Sequence, residues 1–223
     1  RLILSGENPA GVDYGADGSI YVTEIRDKRK IVARGVAGNG PAYFEVKSAD
    51  GTLSRYGFDP NARIEGYGKT TPYIYAIDSM QDTYGNGLNI TYIKEQNSFS
   101  YYSDGRPSEF QKQYTRYRPS IITYDVPQAN GKNQLAVVFQ YKKSYNLNPG
   151  DPGYESYKTE AYQNFYVDGA QFDDNYILDK IETYIWYMNG AYIGIPRMPD
   201  FEFPDFNVPN VRSLIKQYYL DYS

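Results

Sequence analysis

The side chains that could do chemistry in this sequence are carboxylates. The stretch DGAQFDDN (168–175) brings together Asp168, Asp173, Asp174 and Asn175, and side-chain oxygens of this kind are the ligands that Ca²⁺ takes. The spacing is not Asp-x-Asp-x-Asp-Gly, however, and no glutamate stands at the end of such a loop. A solvated turn is the favoured interpretation, both here and for DPGYES (151–156). The sequence therefore predicts no metal site.

Other acidic residues are scattered and form no pair by spacing alone. Two carboxyl groups about 5–10 Å apart would be the machinery of a glycosidase, but the sequence does not show which two would meet. Ordinary surface charge is the favoured interpretation, and an enzyme ranks third among the classes of function considered. The residues concerned are Glu24, Glu45, Asp78, Asp82, Glu109, Glu182 and Asp200.

The lack of histidine and cysteine removes most other catalytic chemistry. Without histidine there is no Ser-His-Asp triad, no imidazole base and no histidine-bound zinc. Without cysteine there is no thiol nucleophile, disulfide or thiolate metal site. The stretch GYGKTTP (66–72) resembles a phosphate-binding loop only superficially, because it lacks the full Gly-x4-Gly-Lys-Ser/Thr spacing and no helix pattern follows. We therefore expect no catalytic residue and no cofactor.

Aromatic side chains offer binding as an alternative to catalysis. The chain has 27 tyrosines, 10 phenylalanines and one tryptophan among 223 residues. Tyrosine combines a large apolar ring with a hydroxyl that needs water or a partner, so it suits half-buried positions on twisted sheets. Exposed tyrosines or Trp186 could stack on a glycan, but Trp186 lies among apolar neighbours in YIWYM, which favours a position in the core.

Charge and hydropathy restrict the partners and the location. The net charge is −4 and the basic residues are dispersed, so we expect no nucleic-acid partner. No apolar run approaches the length of a membrane span. The first residues, RLILSGENPAG, have neither an initiator methionine nor the order of a signal peptide. We expect a fragment of a longer protein or a processed product.

Asp-Gly and Asn-Gly turn signals recur along the whole chain and predict an all-β fold. Such pairs accept the positive φ angles of tight hairpins, and short alternating runs such as SIYVTEI and AYFEVKS lie between them. We predict one β-rich domain over 1–223, built from antiparallel, tyrosine-rich hairpins in a large twisted or curved sheet, of which a partial barrel or a shell section is one form. The signals are ADGS (16–19), GNG (38–40), ADGT (49–52), YGNG (84–87), SDGR (103–106), ANGK (129–132), VDGA (167–170) and MNGA (188–191).

Some segments depart from this rhythm. Residues 146–176 and 196–210 are expected to be irregular excursions, because the first contains a Pro- and Gly-rich stretch and the second is rich in proline. SEFQKQYTRY (108–117) and VRSLIKQYY (211–219) have some helix propensity, and a strand is favoured for the second. ILDKIETYIWYMNG and AYIGI are expected to be two arms of a hairpin around Asn189-Gly190.

Two successive motifs give the sequence a resemblance. YFEVKSADGTLSRYG (43–57) carries an aromatic-x-Val, an Asp-Gly and a Tyr-Gly, and YIYAIDSMQDTYGNGLNITYIKE (73–95) carries an Asp, a Gly-Asn and an Ile-x-Tyr. These motifs resemble those of SpvB-type and Rhs (YD-repeat) proteins, including the B components of insecticidal toxin complexes, and the likeness covers most of residues 19–223. The motif residues are Phe44, Val46, Asp50, Gly51, Tyr56, Gly57, Asp82, Gly85, Asn86, Ile90 and Tyr92.

The resemblance implies an architectural function and no catalytic residue. Tyrosine-rich hairpins of that family build a hollow shell that encloses a toxic segment or supports its delivery. It implies a non-enzymatic section of a secreted or cell-surface protein, with neighbouring segments of the same polypeptide or toxin-complex subunits as partners. The competing hypothesis is a β module that binds a glycan or a protein at a cell surface.

Overall fold

The described residues fold almost entirely into β-strands and the turns and loops that connect them. The computed structural model describes residues 1–25, 27–103, 106–128, 131–143, 163–174, 176–187 and 211–220. These ranges contain one 3-10 turn, Pro60–Ala62, and no α-helix, so the prediction of an all-β fold is confirmed. The strands are β1 (Leu2–Leu4), β2 (Ile20–Thr23), β3 (Lys30–Arg34), β4 (Tyr43–Lys47), β5 (Leu53–Tyr56), β6 (Arg63–Glu65), β7 (Pro72–Tyr75), β8 (Ile77–Gln81), β9 (Gly87–Ser103), β10 (Arg106–Gln128), β11 (Gly131–Lys143), β12 (Gln163–Val167), β13 (Ala170–Asp174), β14 (Tyr176–Tyr187) and β15 (Val211–Tyr219).

One large sheet contains nearly all of these strands. Its order is β1-β2-β3-β4-β5-β8-β9-β10-β11-β14-β15, and every neighbouring pair along this path is antiparallel. The hairpin β12–β13 joins β10 through a single parallel pair, Thr115 with Phe172. β6 and β7 form a separate two-stranded ribbon. The described strands do not close on themselves, so the large, open antiparallel sheet is as predicted.

Three of the predicted turn signals lie in short loops between paired strands, whereas ADGS and GNG lie in the longer connections from β1 to β2 and from β3 to β4. ADGT separates β4 from β5, YGNG separates β8 from β9, and VDGA separates β12 from β13. SDGR and ANGK fall at the ends of β10, where the pairs Ser103–Arg106 and Gln128–Gly131 each leave two residues for the loop. The strands around those two loops are long, because β9 has 17 residues and β10 has 23.

Tertiary pairing overrides helix propensity in both ambiguous segments. Residues 108–117 lie within β10, and 211–219 form β15. Within 146–176, residues 163–167 and 170–174 form a hairpin instead of an irregular segment, because VDGA supplies its turn. β14 pairs with β11 and β15, whereas the expected partner arm AYIGI, the turn MNGA and residues 196–210 lie outside the described residues.

Apolar burial is divided among three small clusters. The first lies under β1–β5 and is built from Tyr21, Ile31, Ala33 and Val46. The second joins Ile64 of the ribbon to Ala170 and Phe172 of β13, and the third is made of Ile121, Ala136 and Val138 on β10 and β11. Within the described ranges, these faces of the sheet are buried where another element or a large ring lies over them.

The ribbon β6–β7 is fastened over the long strands by polar contacts. The Lys94 ammonium on β9 donates to the carbonyls of Pro60 and Arg63 at 2.8 and 2.7 Å, and it forms an ion pair with the Glu65 carboxylate at 2.7 Å. The Thr115 hydroxyl donates to the Glu65 carbonyl at 2.9 Å. These contacts satisfy all three donors of the ammonium and fix the position of the second cluster.

Several β-bulges interrupt the described ladders, and at two of them a tyrosine hydroxyl donates to a backbone carbonyl. Asp78 is the extra residue between the pairs Arg55–Ser79 and Tyr56–Ile77, and Ser120 is the extra residue between Pro119–Tyr92 and Ile121–Thr91. A bulge leaves a backbone group outside the ladder. The Tyr92 hydroxyl donates to the Ile77 carbonyl at 2.8 Å, and the Tyr141 hydroxyl donates to the Pro119 carbonyl at 2.8 Å.

We predict that Tyr92→Phe lowers the free energy of unfolding by about 1–2 kcal/mol, because the Ile77 carbonyl loses its donor in a half-buried setting. Urea unfolding followed by circular dichroism measures this change. Tyr84→Phe is the matched control, since Tyr84 is 90% exposed in the turn before β9. Equal stabilities of the two variants would contradict the function assigned to the Tyr92 hydroxyl.

Candidate functional site

The turns of the two sequence motifs lie side by side at one end of the sheet. β5 pairs with β8 from Leu53–Gln81 onward, which places the turn after β4 next to the turn after β8. In the first turn the Asp50 carboxylate accepts the Thr52 N–H at 2.9 Å. In the second, the Asp82 carboxylate accepts the N–H groups of Tyr84 and Asn86 at 2.8 and 2.9 Å and the Asn86 amide at 2.7 Å.

These hydrogen bonds favour the charged form of both motif aspartates. The backbone N–H of Thr52 lowers the pKa of Asp50, and the Asn86 side-chain amide lowers the pKa of Asp82. Each carboxylate is therefore used to close its own turn, as in Asx-turns generally.

Motif glycines occupy positions that a side chain would strain. Gly51, Gly57 and Gly85 all have positive φ, at 87°, 76° and 84°. A Cβ at Gly51 would come within 2.4 Å of the Thr83 methyl in the neighbouring turn, whereas a Cβ at Gly85 would meet nothing within 4 Å. Close packing between the two turns thus depends on Gly51.

The apolar motif residues pack in the body of the sheet. Val46 is buried in the first cluster, and Phe44 and Tyr56 pack against it. The Phe44 ring contacts the Tyr75 ring edge-on, with centroids 4.9 Å apart. Ile90 is half-buried on β9 and lines a depression described below, and Tyr92 completes the bulge at Asp78. Every motif residue therefore has a structural position, and their correspondence to the family stays a prediction.

We predict that Gly51→Ala destabilises the fold by more than Gly85→Ala. Both variants incur the left-handed strain, about 1–2 kcal/mol, but only Gly51→Ala also collides with Thr83. Adding Thr83→Ser, which removes the methyl group, should recover part of the Gly51→Ala loss and none of the Gly85→Ala loss. Additive effects in this double-mutant cycle, measured by urea unfolding, would show that the two turns do not press on each other.

The bulge at Asp78 creates a polar depression across β5, β8 and β9. Asp78 is 4% exposed, and its Oδ2 accepts the Asp59 N–H at 2.5 Å. Its Oδ1 is buried and has no hydrogen-bond partner among the described residues. The depression has a volume of about 250 Å³. It is lined by Arg55, Phe58, Asp59, Asp78, Ser79, Asn89, Ile90 and Thr91.

An ion-pair chain borders this depression. The Glu45 carboxylate lies between Arg34 Nε at 2.7 Å and Arg55 Nε at 3.4 Å. Burial acts to raise the pKa of Glu45, but the hydrogen bonds from both guanidinium groups outweigh it and hold the pKa below its ordinary value. Asp78 differs, because burial dominates and raises its pKa, with the nearby Asp59 charge acting in the same direction.

We predict that Asp78→Asn gains stability relative to the unchanged protein as the pH rises. A carboxyl group whose pKa is raised by folding favours the folded state when protonated, and this stability is lost as the pH rises from its ordinary value of 3.8 through the folded value. Asparagine keeps an oxygen for the Asp59 N–H and cannot ionise. Asp82→Asn is the control with the opposite sign, because the Asp82 pKa is lowered. Thermal unfolding between about pH 2.5 and 8 covers both windows, because the Asp82 trend falls below its ordinary pKa of 3.8 and the Asp78 trend above it. Parallel trends for the two variants would contradict the assignment of Asp78.

The remaining carboxylates are placed on separate elements. Glu182 is buried on β14, where it accepts the Gln140 amide at 2.7 Å and the Tyr184 hydroxyl at 2.8 Å and pairs with Lys180 at 2.9 Å. Glu24 is exposed after β2, and Asp168 lies in the turn of β12–β13. Among the described residues no three acidic side chains come together as a metal site. The side chains of Glu109, Asp173, Asp174 and Trp186, and all of Asn175, DPGYES and Asp200, lie outside what the structure describes.

Sequence reasoning missed a group of buried arginines on β10. Arg118 is 8% exposed, stacks on the Tyr176 ring 4.0 Å from its centroid, and pairs with Glu95 at 3.1 Å. Arg116 lies 4.3 Å from the centre of the Tyr114 ring. The sequence QYTRYRP could have indicated this group, because Tyr114, Arg116 and Arg118 are two residues apart and therefore share one face of a strand, where arginine can stack on an aromatic ring.

The two outer strands of the large sheet each have one described neighbour. β1 pairs with β2, and β15 pairs with β14. β15 carries the exposed rings of Tyr218 and Tyr219, with Lys216 4.6 Å from the centre of the Tyr218 ring. Edges of this kind are templates for another strand. No helix in the described ranges is long and apolar enough to span a membrane.

Solved structures share this architecture. TcdB2–TccC3 without its hypervariable C-terminal region aligns with a TM-score of 0.56 and 14% identity, over 99% of this chain and 11% of that one. The Photorhabdus luminescens Tc holotoxin pore gives 0.57 and 14%, again over 99% of this chain and 11% of that one. The N-terminal domain of the effector SpvB from Salmonella typhimurium strain LT2 gives 0.51 and 11%, over 100% of this chain and 78% of that one.

The chain has a toxin-complex/SpvB-like fold. It spans about a tenth of the length of the toxin-complex chains that it matches. No protein-family model and no curated protein sequence matches it. The fold is thus shared with these structures at 11–14% sequence identity.

Proposed function

We propose that this chain is a non-catalytic structural section of a secreted or cell-surface protein related to toxins. Its sheet would form part of a wall that encloses a toxic segment or supports its delivery. The partners would be neighbouring segments of the same polypeptide or other toxin-complex subunits. The observation that carries this proposal is the open sheet, in which the outer strands β1 and β15 each pair with one described strand.

The likeness to larger toxins supports the same proposal. Nearly the whole chain aligns with a tenth of a toxin-complex chain, as expected of one section in a longer series of hairpins. Several of the described charged groups also hold the fold together, as the ion pairs of Lys94, Glu45 and Glu182 illustrate. A section of a wall needs a stable sheet and outer strands that can pair with further strands, and it needs no reacting group.

We predict that the native product is several times longer than this chain and that β15 contacts residues outside it. Lys216 is exposed on β15, so an amine-reactive cross-linker applied to the native protein should join Lys216 to peptides that this sequence does not contain. Lys47, exposed on the interior strand β4, is the matched control and should give mainly links within the chain. Mass spectrometry with peptide mapping gives both results.

Two outcomes would contradict the proposal that the sheet is part of a wall. One is a native product of the same mass as this chain, and the other is a set of Lys216 links that never leaves it. Either would favour the alternative hypothesis, a carbohydrate- or protein-binding β module of a cell-surface protein.

A further inference from the structure

Three loops converge on a second depression, which has a volume of about 380 Å³. The first loop follows β3, the second connects β6 to β7, and the third is the turn between β12 and β13. The loops come from distant parts of the sequence, and a concave surface built from loops on a rigid sheet is where binding residues concentrate. Its polar side chains belong to Asn39, Lys69, Thr70, Thr71, Tyr73 and Asp168.

The loops are locked against one another by two glycines. A Cβ at Gly38 would come within 2.3 Å of the Thr71 hydroxyl oxygen, and a Cβ at Gly66 would come within 2.3 Å of the Ala170 Cβ. The Thr71 hydroxyl also accepts the Asn39 N–H at 2.8 Å. The depression is therefore formed before any ligand arrives, which removes the ordering cost of binding.

The lining combines donors, acceptors and one aromatic ring. Lys69 is exposed and forms no ion pair with any described residue. Asp168 is also exposed, and among the described residues its carboxylate accepts one hydrogen bond, a long one of 3.4 Å from the Tyr73 hydroxyl. Asp168 has a φ of 47° and Gly169 a φ of 77°, the conformation that Asp-Gly pairs adopt in two-residue hairpin loops, and this turn places the Asp168 side chain at the depression.

We propose that this depression binds a neutral sugar. A pyranose presents hydroxyls that both donate and accept, and it presents C–H faces that pack on aromatic rings. Asp168 and Asn39 would accept from its hydroxyls, Lys69 would donate to them, and Tyr73 would supply the ring.

Other ligand classes fit less well. A phosphate group would find a single ammonium opposed by a carboxylate, and a metal ion would find one carboxylate beside a lysine. An apolar molecule would cover polar groups without replacing their hydrogen bonds. This site uses loops and no sheet edge, so it is independent of the wall function proposed above.

The test compares Asp168→Asn and Lys69→Gln with matched controls. Asparagine accepts a positive φ and suits this hairpin turn, so the first variant removes the charge and keeps the fold. Asp50→Asn makes the same change in the Asp-Gly turn after β4, and Lys47→Gln makes the same change as Lys69→Gln on an exposed strand. The full chain is applied to an array of defined glycans and titrated with methyl glycosides of glucose, galactose, mannose and N-acetylglucosamine by ligand-observed NMR.

We expect saturable binding of at least one of these glycosides. Asp168→Asn and Lys69→Gln should each weaken it about tenfold or more, the effect of losing a hydrogen bond to a charged group. The controls should bind as the unchanged protein does. No binding by array or NMR would overturn the proposal, as would binding that all four variants retain or lose equally. Circular dichroism of each variant tests whether its fold is intact.

Discussion

The packing at the centre of this molecule depends on the hydrogen bonds and the ion pair of the Lys94 ammonium. It joins a strand of the large sheet to the 3-10 turn and to both ends of β6, through two carbonyls and one carboxylate. The ribbon that it holds carries Ile64, which is fully buried and meets Ala170 and Phe172. Without these contacts the ribbon would no longer hold Ile64 against the rest of the second cluster. The same ribbon leads into the loop that carries Lys69, so the three-loop depression also inherits its position from Lys94.

Tyrosine is abundant here because an open sheet gives few residues a fully buried position. A tyrosine ring can cover the face of a strand while its hydroxyl reaches a carbonyl that the ladder leaves free. Tyr92 and Tyr141 do this at two of the bulges, and Tyr75 does it with the Pro41 carbonyl at 2.7 Å. Phenylalanine would supply the ring but leave the carbonyl unsatisfied. The high tyrosine content therefore reflects the carbonyls that the ladder leaves free as much as the need to cover the faces of the sheet.

Local chemistry accounts for what could be predicted from the sequence. Asp-Gly and Asn-Gly fix turns through their own φ preferences, so ADGT, YGNG and VDGA placed three hairpins correctly. The pairing of β5 with β8 across the intervening ribbon could not be read in this way, because it depends on contacts between distant segments. The bulge at Asp78 follows from that pairing, and so does the burial of its carboxyl group. The two depressions were missed for the same reason, since each assembles residues from separate segments. GYGKTTP had been set aside because its spacing does not fit a phosphate loop, and the structure places its Lys69 beside Asp168 through tertiary packing alone.

The unequal strand lengths make the resistance of the sheet to force depend on the direction of the force. β10 has 23 residues, which span up to about 75 Å when fully extended, and β9 accompanies it through most of that length. A pull along these strands would load many ladder hydrogen bonds at once, in shear. A pull across the sheet, from β1 toward β15, would load the ladders one after another, and those of β1 to β3 have only two or three register pairs each. The molecule is therefore stiff along the long hairpin and compliant across the narrow strands, so a load across the sheet would separate these short ladders before it disturbed β9 and β10.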